Sequence, residues 1–144
     1  MNLLSAMALL VAMVVPTAVR LGAQQRFGDE DPILKGFTRS PSEHIINEHP
    51  GAITVRALKG TISEVAAGTG LPGALVEVRA SSGASTIQAA HTDQRGRFNM
   101  RKLKEGRYIF KVTRDGFQSV FGLLVVSRAA AAEREFRISL RQGV

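Results

Sequence analysis

The sequence predicts an all-β fold in which two sheets pack face to face, and three observations predict it. From residue 58 onward apolar residues recur with period two, turn-forming residues interrupt them at about eight-to-twelve-residue spacing, and no amphipathic stretch reaches three helical turns. Seven such segments in about ninety residues need two layers, because a single sheet would leave one apolar face bare.

The composition agrees with one domain. The chain has 144 residues, of which 44% are hydrophobic and 22% charged, enough apolar surface for a core of its own. The absence of cysteine excludes a disulfide framework, thiolate metal sites and a cysteine nucleophile. No tryptophan and one tyrosine argue against an aromatic-lined sugar cleft, and three histidines leave little for metal chemistry.

Residues 3–15, LLSAMALLVAMVV, carry no charge and lead through Pro16 to the small-residue patch LGA, so residues 1–23 are read as a signal peptide cut after Ala23. An uncleaved membrane anchor is the alternative, although the uncharged stretch ends at Val19, the short end of the roughly 17 to 25 residues a spanning helix needs. Export places the protein in the periplasm or outside the cell. Residues 24–50 mix charges and prolines without a sustained period and read as a mostly irregular linker. Its three basic and five acidic residues oppose fifteen basic and seven acidic in residues 51–144, so the linker is expected to fold back weakly onto the body. Glu43, His44, Glu48 and His49 raise a metal question, since His44 and Glu48 would share a helical face, but without a third ligand they read as a solvated turn.

Within the body, a first segment covers 53–65, and its apolar parity flips between Ala57 and Leu58, the mark of a bulge or of two strands. A second, 74–80, turns Ala74, Val76 and Val78 inward and Glu77 outward. The third is 86–92. The fourth, 97–101, buries Phe98 and Met100, and the fifth, 107–114, buries Tyr108, Phe110 and Val112. The sixth, 119–127, is apolar on both faces, and the seventh, 134–140, buries Phe136, Ile138 and Leu140. Pro72-Gly73, Asp93 with Gly96, Gly106 and Asp115-Gly116 supply the turn chemistry between them.

The ordered series Gly60, LPGALVEV at 71–78, TDQRGRF at 92–98, Leu103, EGRY at 105–108, Val112 and DGF at 115–117 resembles the carboxypeptidase regulatory-like domain over about residues 56–141. Phe117 stands where that family often has tyrosine. The resemblance implies a transthyretin-like, antiparallel Greek-key β-sandwich and a non-catalytic module. A zinc carboxypeptidase would need a far larger domain. The related hydrolases of transthyretin-like fold end in a Tyr-Arg-Gly-Ser tail, and this chain ends LRQGV.

No catalytic, cofactor or metal-binding residue is expected. Ser81, Ser82 and Ser85 sit in a flexible loop without a recognisable base, and Asp93 and Asp115 belong to turns. Two surfaces are candidates for function. Arg97, Arg101, Lys102, Lys104, Arg107 and Lys111 are expected on the outward face of a hairpin and its turn, where they would meet an anionic protein or envelope component or a peripheral membrane surface; nucleic acid is not expected. Val120, Leu124 and Val126 are expected on a second apolar face, covered by the linker's Ile33, Leu34 and Phe37, by a second copy of the domain or by a partner. The function expected is an exported interaction module, with a small hydrolase or an accessory subunit of a transport or secretion complex as alternatives.

Overall fold

In the computed structural model, which describes residues 25–26, 32–82 and 86–143, the chain folds as two packed, mixed β-sheets. The expected signal peptide and Ser85 lie outside the described residues. A two-residue strand β1 (Gln25–Arg26) is followed by β2 (Ile46–Val55), β3 (Leu58–Glu64), β4 (Leu75–Ala80), β5 (Gln88–His91), β6 (Arg97–Met100), β7 (Gly106–Thr113), β8 (Ser119–Val126) and β9 (Phe136–Leu140). The first sheet has the order β1-β2-β8-β7-β4-β5 and the second β6-β3-β9.

Among the described residues, eight strands of four or more residues thus replace the seven expected. The parity flip at Ala57 explains the extra one. Val55 and Leu58 are both fully buried, and the bend at 56–57 carries the chain from β2 in one sheet to β3 in the other, so each side faces the same interior from opposite layers. Pairing is not wholly antiparallel either: β2 runs parallel to β8, and β3 parallel to β9.

β2 also begins at Ile46, inside the segment expected to be irregular. Its first half, INEHP, buries only Ile46, and a register shift between Glu48 and Ala52 breaks the alternation that marks a strand.

The interior is filled from both layers by Val55, Leu58, Ile62, Val76, Val78, Val112, Leu124 and Leu140, with the Phe136 ring edge-on to Phe110 at 4.9 Å and to Phe98 at 5.7 Å. Gly122 makes room for this packing, since a Cβ there would lie 3.0 Å from the Phe110 ring. Tyr108 is half-buried, and its hydroxyl donates to the Lys104 carbonyl at 2.6 Å.

The turn residues act as their chemistry requires. Asp93 Oδ1 accepts the backbone N–H groups of Arg95 and Arg97 at 2.8 and 2.9 Å, while Gly96 takes φ of 76°. That turn does not close a hairpin, because β5 and β6 belong to different sheets.

Residues 32–45 form a strap across the outer face of the six-stranded sheet. Arg79 donates to the carbonyls of Ile33 and Lys35 and lies 4.9 Å over the Phe37 ring, which is buried. The Thr38 N–H and hydroxyl donate to the Glu77 carboxylate, and Ser42 donates to Asp115 at 2.7 Å. Glu77, expected to be outward, does leave the core face but is only 4% exposed because the strap covers it.

Candidate functional site

The six cations expected on one hairpin face do not stay together. β6 and β7 lie in different sheets, so the connection between them crosses the sandwich and Arg97 is separated from Arg107. Arg97 lies on the outward face of the three-stranded sheet, in a row with Thr61 and Arg137, beside a shallow open groove of about 570 Å³ that Lys59, Asn99 and Glu135 also line.

Lys111 is a plain correction. Its position on β7 is outward from the core, as the alternation requires, yet the side chain is 1% exposed under the strap. The ammonium donates to Glu43 Oε1 at 2.9 Å and to the Thr38 carbonyl at 2.9 Å, and the other oxygen of Glu43 accepts from the Ser119 hydroxyl. A buried charge pair of this kind is held by complete hydrogen bonding. The linker's folding back onto the body therefore takes the form of a desolvated ion pair in place of a screened surface attraction. It also removes the helical geometry behind the metal question: Glu43 pairs with Lys111, residues 46–50 are extended and so place His44 and Glu48 on no helical face, and the His49 ring packs against Phe110.

The apolar strand is likewise corrected. Leu124 and Val126 are buried in the core and Val120 packs against it, so the three residues expected to meet a partner point into the sandwich. The face turned outward is Ser119, Phe121, Leu123 and Val125; the strap leaves Phe121 3% exposed and Leu123 54% exposed.

What the structure does bring together is one end of the sandwich. Val55 pairs with Val126, Gly106 with Val126, Leu58 with Met100 and Gly60 with Phe136, so the connections β2–β3, β6–β7 and β8–β9 all emerge at the same end. They carry Arg56; Arg101, Lys102 and Lys104; and Arg128 and Arg134, all exposed, against Glu105, Glu133 and Glu135. Arg107, exposed at the start of β7, adds a seventh cation. Two hydrogen bonds stitch the three connections together: Arg56 Nε donates to the Ala130 carbonyl at 3.0 Å, and the Arg128 N–H donates to Glu105 Oε1 at 2.5 Å. Lys102 holds a left-handed φ of 71°, the one non-glycine residue with positive φ among those described.

The opposite end is nearly balanced. The connections after β5 and β7 and the segment after β9 carry Arg95, Arg114 and Arg141 against Asp93 and Asp115. Both of these carboxyls sit below the ordinary aspartate range, Asp93 chiefly through the N–H of Arg97 and then that of Arg95, Asp115 chiefly through the Ser42 hydroxyl.

Four of the six expected cations, Arg101, Lys102, Lys104 and Arg107, thus belong to the basic end. Arg56, Arg128 and Arg134 were missed because they are distant in sequence and only strand pairing makes them neighbours. Among the described residues no group of three or more His, Asp or Glu could hold a metal ion, and no helix is long and apolar enough to cross a membrane.

Comparison with curated proteins finds no match. The carboxypeptidase regulatory-like domain family matches residues 57–140, which spans β3 to β9 and more than half of the chain. With the two-layer sandwich and its turn series in place, the chain belongs to the carboxypeptidase regulatory-like domain family.

Proposed function

We propose that the protein is an exported, non-catalytic interaction module of the cell envelope that engages an anionic partner through its basic end. The observation that carries this reading is the convergence of six exposed cations from three connections, with Arg107 at the start of β7, against three glutamates at one end, while the other end stays close to neutral. A field concentrated at one end of a small sandwich attracts and orients an anionic surface. Family membership supports a β-sandwich module, a class often without catalytic activity, and the uncharged run at residues 3–15 supports export.

Retention on immobilised polyphosphate at rising salt tests the reading. The parent protein is expected to bind at low salt and to elute steeply as the Debye length falls below about 10 Å. Arg101→Glu with Lys104→Glu should abolish retention, whereas Arg97→Glu, on the other sheet's face, should change it by less than about twofold. Absence of retention at low salt, or equal loss from Arg97→Glu, would overturn the assignment. Fractionation of cells expressing the full chain tests export: recovery in the cytoplasm would remove the envelope from the proposal.

A further inference from the structure

We propose that the anionic partner of the basic end is a phospholipid bilayer surface, met by that end together with the adjoining strip of the six-stranded sheet's outer face; this rests on the reading that the end binds anions. The strip is defined by cross-strand pairing. Leu123 on β8 lies between Ile109 and Ala52, and the next outward residue, Val125, lies between Arg107 and Thr54. Arg56 follows β2 and Arg128 follows β8, both exposed.

β8 is an interior strand of its sheet, flanked by β2 and β7, and its outward face is apolar at Phe121, Leu123 and Val125. The strap covers this face around Glu77, Lys111, Phe121 and Ser119, yet at the row of Arg79 and Leu123 it engages Arg79 while Leu123 remains 54% exposed. Exposed Leu123 and half-buried Val125 therefore run directly into Arg107, Arg56 and the cationic connections.

That mixture discriminates between anionic partners. A single-stranded nucleic acid adds base stacking on an exposed ring, and the tyrosine next to this end is half-buried with its hydroxyl tied to Lys104, while an acidic glycan would use the cations and leave Leu123 without a role. A bilayer with anionic headgroups uses both components: ammonium and guanidinium groups meet phosphate, and leucine and valine reach the boundary with the acyl chains.

Sedimentation of the purified chain with vesicles tests this, comparing neutral phosphatidylcholine with vesicles carrying about one-third phosphatidylglycerol. The neutral vesicles account for any contribution of the apolar run at residues 3–15. Partitioning is expected to favour the anionic vesicles and to fall by about fivefold for each cation removed in Lys102→Gln and Lys104→Gln. Leu123→Ser should lower vesicle partitioning by about fivefold while leaving retention on polyphosphate unchanged. Equal partitioning into both vesicles, or vesicle binding insensitive to Leu123→Ser, would overturn the bilayer assignment even if polyphosphate is retained. Failure to bind polyphosphate would instead overturn the reading beneath it.

Discussion

The Lys111 ammonium lies 2.9 Å from the Glu43 carboxylate, across 68 residues of sequence, and each side chain is 1% exposed. The pair fastens the strap to the middle of the six-stranded sheet. Removing one member leaves the other charge desolvated, so Lys111→Met is expected to cost about 3–5 kcal/mol in urea unfolding. Replacing both, Lys111→Met with Glu43→Leu, should recover at least half of that loss, because no orphaned charge remains. Additive losses in the double variant would show that the pair is not coupled.

Gly60 gives a steric prediction of a different kind. A Cβ at this position on β3 would lie 1.7 Å from the Phe136 carbonyl oxygen on β9, and backbone cannot give way without breaking their pairing. Gly60→Ala should therefore cost more than about 4 kcal/mol or prevent soluble expression. Gly51→Ala has open space around it and only the penalty of a φ of 71°, so its expected cost is about 1–2 kcal/mol. Comparable thermal midpoints for the two variants would refute the distinction.

Asp115 supplies a pH dependence. Its carboxyl is held below the ordinary aspartate range, first by the Ser42 hydroxyl and also by that of Ser40, so protons bind the unfolded chain more readily than the folded one. The stability it contributes is present above about pH 4 and is lost as the pH falls through its lower folded value. Asp115→Asn should accordingly show a smaller drop in urea midpoint between about pH 6 and about pH 2.5 than the parent. Asp93, held down by the N–H of Arg97, has the same sign, so Asp93→Asn should act likewise and independently at the other turn. An unchanged acid response in both variants would contradict the assignment.

The family boundary at residue 57 yields a fourth test. A chain of residues 57–144 lacks β2 and the strap, which leaves the edge of β8 unpaired and Phe121 uncovered. Such an edge invites pairing with other chains. Light scattering should find the shortened protein associated at concentrations where residues 32–144 remain dispersed, and a monodisperse 57–144 would show that β2 and the strap are together dispensable for keeping it so.

The legible part of the fold was the part governed by local pattern. Phe98 and Met100, or Phe136, Ile138 and Leu140, alternate with charged or polar neighbours, and their burial follows from period two alone. Even the flip at Ala57 was visible, although it reads equally as a bulge or as two strands and does not say that the two lie in different sheets. Residues 46–50 were not legible, because a half-strand containing Pro50 and burying only Ile46 has no period to detect. Lys111 was placed on the correct side of β7 and still misread, since the cover over that side comes from Glu43 and Thr38 far upstream. The apolar outer face of β8 and the acidic linker were the two available signals. The basic end was partly visible as RKLK at 101–104, while Arg56 and Arg128 became its neighbours only through the pairing of Val55 with Val126.

The two parallel pairings have a kinetic consequence. β2 pairs with β8, and β3 pairs with β9 as well as with β6, so both early strands complete their ladders only with segments far downstream in the sequence. The β4–β5 and β7–β8 hairpins need only neighbouring segments, whereas closing the sandwich requires these long-range parallel contacts, which slow folding. Joining the two layers, more than growing either hairpin, is therefore expected to limit the folding rate.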